Sequence, residues 1–355
     1  MKIFFIIPYP LGVVPSQRFR FEHYLAYLEE NKIQYSVSSF LDLKAWGNLY
    51  KKGHLISKTL GTLRGFFRRF GNLFSLRKYD YIFIHREASP LGPAWFEWFA
   101  AKLFRKKIIY DFDDAIWIPS TAKNNQFIKG FKNFGKVKRI CRWSHMVVTG
   151  NKFLNEFAKK YNKNSIVIPT VVDTENVHSR LKDQLNGAVN IGWTGTFSTL
   201  KFIDQVVPVI EEIQKEYKVN FIVIADKDPQ LKLPFYKFIK WTKETEIDDL
   251  LNFNIGIMPL EDTELAKGKC GFKAIQYMAL GIPALVSPVG VNTAIVDDGI
   301  NGFICDDAAK WKHSLKELLG SAEKRVVMGK LARQKIEKNY SVRATQDRFL
   351  ELFRA

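Results

Sequence analysis

The sequence predicts an α/β chain of two doubly wound parallel-sheet domains facing a cleft. Three observations carry this. Short apolar runs alternate with amphipathic helical patterns along nearly the whole chain. Such alternation builds parallel sheets covered by helices on both faces. The 355 residues exceed one ordinary core and suit two domains of about 150 residues each. The alternation also breaks once, at 169–187, where the chain is polar and aperiodic and reads as a linker.

In order, the first half predicts strands at 2–8, 34–39, 81–85, 107–111, 146–149 and 165–168, with helices between them. The clearest helix is 17–29, where Phe21, Tyr24, Leu25 and Leu28 share a face. After the linker the predicted strands are 189–193, 219–224, 255–258, 284–287 and 302–305. The predicted helices are 199–216, 247–252, 271–280, 308–319, 322–338 and 342–353. The domains are therefore 1–170 and 188–340, with 341–355 placed to pack back on the first. In such sheets ligands bind beyond the carboxyl ends of the strands.

Apolar residues make up 46% and charged residues 25%, which is globular material. No apolar run reaches the roughly 18 residues of a spanning helix. Met1-Lys2 leads straight into a strand-length run that Pro8 and Pro10 end, which predicts a first strand and not a signal peptide. Cys141, Cys270 and Cys305 form neither a metal spacing nor a disulfide framework, which fits a reducing cytosol.

The net charge of +18 is unevenly spread. Between Asp42 and Asp80 there is no acidic residue, yet Lys44, Lys51, Lys52, Lys58, Arg64, Arg68, Arg69, Arg77 and Lys78 lie there among Trp46, Tyr50, Phe66, Phe67, Phe70 and Phe74. A second acid-free stretch, 115–155, carries Lys123, Lys129, Lys132, Lys136, Lys138, Arg139 and Arg142. Basic residues mixed with aromatics point to an anionic membrane surface. No nucleic-acid motif is present, so nucleic acid is not expected as a partner.

Several loops carry chemistry. Gly268 and Gly271 mark a turn into the helix of Phe272, with Lys269 and Lys273 beside it and Gly281 closing it. A helix start beside lysines is an anion site that suits a diphosphate, although a Gly-capped surface helix reads the same way. Gly195 and Thr196 open a Gly/Thr/Ser loop after a strand. It matches neither the dinucleotide fingerprint nor the P-loop, which argues against NAD and ordinary ATP use. Val289, Gly290, Asn292 and Thr293 form a third strand-end loop. In the first half Ser16 is a candidate N-cap. Arg18 and Arg20 then fall in a first helical turn, where a cation opposes the macrodipole, so they either hold an anion or face solvent. Two further strand ends are polar: His85-Arg86-Glu87, and Asp111 with Asp113 and Asp114. Three carboxylates together need a cation, donors or a catalytic task. Hydroxyl binding or helix capping is expected ahead of a metal, because no His or Cys stands nearby in sequence.

The segments Gly256-Ile-Met-Pro-Leu, Gly271 through Gly290 and Ile295-Val-Asp-Asp-Gly-Ile-Asn-Gly-Phe resemble the donor half of retaining GT-B glycosyltransferases of family four. Ile168-Pro-Thr-Val-Val-Asp173 resembles that family's inter-domain element, and the opening strand and loop are similar to its start. The resemblance covers essentially the whole chain, specifically in the second half and loosely in the first. It departs at the paired glutamates, where Gly268 and Gln276 stand, and at the Arg…Lys phosphate pair, which reads Thr196…Lys201.

The resemblance implies two Rossmann-like domains and transfer of a sugar from a nucleotide-diphosphate sugar, with retention, to a glycan or lipid-linked acceptor. It implies no metal or other cofactor. Lys201, Lys269 and Lys273 are then the cations of the departing diphosphate, and His85 a contact to donor sugar or acceptor. Gly195, Thr196, Gly271, Phe272, Gln276, Val289, Gly290, Asn292 and Thr293 would bind donor, and Arg18, Arg86, Asp113 and Asp114 acceptor. Glu261 or Glu264 could replace the lost glutamate. The setting implied is bacterial surface polysaccharide or lipopolysaccharide synthesis, in the cytoplasm or at the inner face of the plasma membrane. The alternatives are a catalytically degenerate GT-B protein that binds sugar nucleotide or glycan, and a membrane-binding protein that uses its basic first domain.

Overall fold

The computed structural model of the protein describes residues 1–49, 51, 53–119 and 133–354. Tyr50, Lys52, Lys123, Lys129 and Lys132 of the basic stretches lie outside the described residues. The chain forms two compact units, Met1–Thr170 with Gln346–Ala355, and Val171–Thr345.

The first unit holds six strands: β1 (Lys2–Ile7), β2 (Gln34–Ser39), β3 (Tyr81–His85), β4 (Lys107–Phe112), β5 (Met146–Thr149) and β6 (Ser165–Val167). They pair in the order β2-β1-β3-β4-β5-β6, all parallel. Ile3 through Ile7 are buried as a continuous run, as a strand covered on both faces requires. From β1 the chain steps to β2 on one side and to β3 on the other, so the winding reverses between β1 and β3. The aromatic core gathers on Phe5, Phe21 and Phe83, with ring centroids 5.3 Å and 5.0 Å from Phe5. The last ten residues complete it: Phe349 stacks on Tyr24 at 4.2 Å and stands 5.8 Å from Phe83.

The predicted 17–29 helix is broken. The chain makes a helical turn at Pro15–Arg18, a 3-10 turn at Glu22–Tyr24 and a short helix at Leu25–Glu30. Phe21, Tyr24 and Leu28 of its apolar face are buried and Leu25 is half-buried, but Gln17, Arg18 and Arg20 are buried too. Gln17 turns inward to the carbonyls of Tyr9 and Pro10, and Arg20 to Asp111.

The second unit holds β7 (Asn190–Gly195), β8 (Asn220–Ala225), β9 (Tyr236–Lys240), β10 (Ile255–Met258), β11 (Ala284–Val286) and β12 (Gly302–Ile304). Their order is β12-β11-β10-β7-β8-β9, again parallel. Here the winding reverses between β7 and β10. The expected 199–216 helix is a 3-10 segment, Phe197–Phe202, followed by the helix Val207–Glu216 with Pro208 in its first turn; proline suits that position. The helix Phe272–Ala279 buries Gln276 and Tyr277 along with its apolar face, so it is covered nearly all round.

The 169–187 segment has no regular strand or helix, yet from Val171 it is part of the second unit. Gln184 donates to the carbonyls of Asn254 and Gly281 at 3.1 Å and 3.3 Å. Arg333 donates to the Thr174 carbonyl at 2.8 Å and Arg325 to that of Gln184 at 3.1 Å. The polar composition that reads as a free linker serves to fasten the segment down.

Candidate functional site

Each unit presents a polar cluster where its winding reverses, and this is the crevice position for ligands in open α/β sheets.

In the first unit the loop after β1 meets the end of β3. Gln17 shapes that loop: its Nε2 donates to the carbonyls of Tyr9 and Pro10 at 3.0 Å and 3.2 Å, and its Oε1 accepts from the Tyr9 amide at 3.0 Å. Ser16 is thereby set over His85, with Oγ 2.8 Å from Nε2. Ser16 is not the N-cap; Val14 holds that position without a side-chain cap, and the Ser16 hydroxyl donates to Asp113 Oδ1 at 3.0 Å. His85 Nδ1 stands 2.7 Å from Asp111 Oδ2. Asp111 is also paired with Arg20, whose guanidinium reaches the Ile168 carbonyl as well. His85 and Asp111 are buried, so the group that this line brings toward the surface is Ser16.

The three carboxylates expected to repel one another are answered by arginines. Arg86 holds Asp113 Oδ1 at 2.9 Å and stands 4.0 Å from Asp114. Burial alone would raise the Asp113 carboxyl, but Arg86, His85 and Arg20 outweigh it and hold it well below the usual range. Burial likewise opposes ionisation of Asp111, and Arg20 and His85 overcome it. Asp114 accepts from the Ala115 amide at 3.0 Å, a contact within its own turn. Arg18 ends its short helix instead of opening one, so the opposition to a macrodipole expected from the sequence is absent. Its guanidinium lies over the Phe19 ring at 4.8 Å.

In the second unit β7 ends at Gly195. A Cβ there would come within 2.4 Å of the Trp193 ring and 2.7 Å of Thr199 Oγ1, so only glycine fits. Thr196 then caps the 3-10 segment in a reciprocal pair with Thr199. This brings Lys201 to Glu261, past the end of β10, at 3.7 Å. Both side chains are about half exposed, 53% and 51%, so the pair is available to a ligand and adds little stability. Glu264 is exposed and opens the short helix Glu264–Lys267.

Gly271 opens the helix Phe272–Ala279 at φ 67°, a left-handed conformation that favours glycine. Lys273 lies half-buried, 5.3 Å from the centroid of Trp193. Burial, and the neighbouring Lys269, lower its ammonium to about 7. Lys273 is thus held over Trp193 of β7. The third loop packs on this turn. At Gly271 a Cβ would meet Ile295 at 2.1 Å, and at Gly290 it would meet the Lys267 backbone at 2.9 Å. Val289 and Asn292 are buried while Thr293 is exposed. Asn292 donates to the Ser287 carbonyl at 3.1 Å, and its buried Oδ1 has no hydrogen-bond partner among the described residues.

Gln276 is not presented openly. It donates to Glu246 Oε1 at 3.4 Å, and Glu246, itself buried, also accepts from Trp241 Nε1 at 3.2 Å. No local pattern in the sequence singles out Glu246. Its signal was faint, a glutamate in the first turn of a short helix with no motif around it.

A separate open hollow lined by Lys2, Glu29, Lys32, Tyr35, Lys78 and Tyr79 lies at the amino ends of β1 and β2. It is on the wrong side of the sheet for the strand-end loops, and none of the groups above reaches it.

The two reversing six-stranded parallel sheets define the class: the fold is that of the GT-B glycosyltransferases. Sucrose-phosphate synthase from Thermosynechococcus elongatus superimposes with a TM-score of 0.74 at 15% identity, covering 100% of this chain and 98% of that one. A glycosyltransferase from Rickettsia africae gives 0.71 at 13% identity over 99% and 97%. Anabaena HepE, solved in complex with UDP and glucose, gives 0.66 at 13% identity over 100% of both chains. Within the second unit, residues 188–321 match the family described as glycosyl transferases group 1, so the resemblance read from the sequence is borne out. Spore coat protein SA of Bacillus subtilis is 30% identical over 81 residues, which is 22% of this chain and 22% of that one.

Proposed function

We propose that the protein is a retaining glycosyltransferase that takes a sugar from a nucleotide-diphosphate sugar. One observation carries the reading. Lys201, paired with Glu261, and Lys273, over Trp193 beside Gly195, ring the switch point of the sheet in the region that matches the family. Cations preorganised where a diphosphate leaves act on the charge that develops as the sugar–phosphate bond breaks. Lys201, Lys269 and Lys273 take that role without a metal ion. The turn of Gly271 and Phe272 and the loop of Val289, Gly290 and Thr293 border the phosphates and ribose. Asn292 braces that loop through the Ser287 carbonyl. Glu261 supplies the carboxylate that Gly268 lacks, and Gln276 works as a pair with Glu246.

In the first unit Ser16, Arg86, Asp113 and Asp114 offer an acceptor hydroxyls and charge, with Arg18 beside them. His85 acts through Ser16, oriented by Asp111. The acceptor is a glycan or a lipid-linked glycan of a bacterial surface polysaccharide, and the enzyme works in the cytoplasm, on the membrane's inner face. No helix among the described residues is long and apolar enough to cross a membrane, so a lipid-linked acceptor would be met from the surface.

The engagement of Gln276 by Glu246 favours a second reading, a GT-B protein that binds sugar nucleotide without turning it over. Release of nucleoside diphosphate from UDP-, GDP-, ADP- and dTDP-sugars separates the two. Release that needs both donor and the intact chain supports transfer or donor hydrolysis. Binding without release from any donor leaves the second reading standing.

A further inference from the structure

We propose that the helix Leu55–Ser75 is a docking face for an anionic lipid bilayer. Ile56, Leu60, Leu63, Phe67, Phe70 and Phe74 recur at alternating spacings of four and three. On a helix of 3.6 residues per turn they fall within an arc of about 80°. All six are exposed, Ile56 at 78%, Phe67 at 74% and Phe74 at 71%. The opposite face, Gly61, Gly65, Arg69 and Leu73, is buried. This inverts the usual surface helix, whose apolar stripe faces the core. An exposed apolar stripe of this length marks an interaction surface.

The inverted orientation is locked. A Cβ at Gly61 or Gly65 would come within 2.7 Å of Ala45 or of the Phe40 ring, so these glycines let the helix lie close against the unit. Arg69 donates to the carbonyls of Ile7 and Ala88, each at 2.6 Å, and to Ser38 Oγ at 3.0 Å. Rotating the stripe inward would expose these carbonyls and strand the guanidinium.

Charge identifies the occupant. From Leu43 to Tyr79 the chain has no carboxylate. Arg64, Arg77 and Lys78 are exposed beside the stripe. A second copy could cover the apolar residues, but the basic flanks of two such helices would then face each other with nothing to neutralise them. Anionic headgroups answer both features, with aromatic rings at the interface and cations among the phosphates. Ile7 ends β1 and Ala88 lies three residues beyond His85, so Arg69 fastens the lipid-facing helix to the loops that carry Ser16 and Arg86.

The surface deepens the lipid-linked acceptor reading and rests on it for its purpose, yet vesicle binding is measured without donor or turnover. The full chain is sedimented with vesicles of phosphatidylcholine alone and of phosphatidylcholine mixed with phosphatidylglycerol, at low and high salt. Wild type should pellet with the mixed vesicles at low salt and remain in solution with phosphatidylcholine. Phe67→Ser/Phe70→Ser/Phe74→Ser should weaken partitioning at least tenfold at an unchanged melting temperature. Arg64→Gln/Arg77→Gln/Lys78→Gln should weaken it roughly five-fold per cation, the effect of one basic residue near an anionic surface, and reduce the salt dependence. Lys159→Gln/Lys163→Gln, at the end of the helix Lys152–Lys159 and in the bend after it, beside β5 and β6 at the other edge of the sheet, should pellet as wild type. Equal pelleting of the phenylalanine variant and wild type overturns the proposal. So does a wild-type dimer that ignores vesicles and becomes monomeric when the phenylalanines are replaced.

Discussion

Lys201 is tied to the fold by a half-exposed ion pair, so its removal separates catalysis from stability. Lys201→Ala should lower donor turnover by roughly 10²-fold, the scale of losing one preorganised charge, with little change in melting temperature. Turnover equal to wild type would remove Lys201 from the mechanism. Lys273 carries a pH dependence. Its ammonium sits near 7 in the folded chain against 10.5 when free, so the unfolded chain binds more protons between those values. Its cost to stability is full below about 7 and fades as pH rises toward 10.5. Binding runs the other way, because the cation that holds a phosphate is lost above about 7. Affinity for whichever nucleoside diphosphate binds should therefore decline as pH rises through that value, and Lys273→Met should flatten the decline in a calorimetric titration. Asp111 has the opposite character. Its carboxyl is held below 3.8, so the stability it brings is present above that pH and lost as pH falls below it. Asp111→Asn would leave the buried Arg20 without its carboxylate, a loss of about 3–5 kcal/mol for a broken buried pair, read as a lower urea midpoint. A midpoint within error of wild type would contradict that pairing.

At the scale of elements, the Leu55–Ser75 helix depends on its close approach to the unit. Gly65→Val would press a branched side chain into the Phe40 ring, 2.7 Å from the first added carbon. Overpacking of this kind costs about 1–3 kcal/mol, visible in urea denaturation; a gain in stability would show that the helix does not lie where described. The strands were largely legible because apolar runs bounded by turns mark buried parallel strands. Those at 34–39, 81–85, 146–149 and 255–258 lie where the pattern predicted. β9 was missed because Tyr236–Lys240 is a half-exposed edge strand with two lysines, so it lacks the apolar run. The 17–29 helix was misread because periodicity registers Phe21, Tyr24 and Leu28 but not the inward turn of Gln17 and Arg20. At the site, the strand-end residues Gly195, His85, Arg86 and Asp113 could be picked out from position alone. The Ser16–His85–Asp111 line, the Lys201–Glu261 pair and the buried Glu246 join residues far apart in the chain, and no local pattern announces them.

At the scale of the molecule, the two units have separate sheets and separate polar clusters, so ligand effects should be confined. Nucleotide at about 100 times its dissociation constant adds about 2.7 kcal/mol to the state that binds it. Hydrogen exchange should show the protection concentrated at 193–201, 261–276 and 289–293. Protection confined to strand ends of the first unit would move the donor site there.

The aromatic core of the first unit closes only with Phe349 and Phe353, both buried and both among the last residues of the chain. During synthesis its sheet therefore emerges long before the side chains that seal it. Until Phe349 and Phe353 have been made, Tyr24 and Phe83 of the earlier-made unit stay uncovered. A chain lacking residues 346–355 would keep every strand described above, yet it would expose to chaperones and proteases the aromatic surface that Phe349 and Phe353 cover.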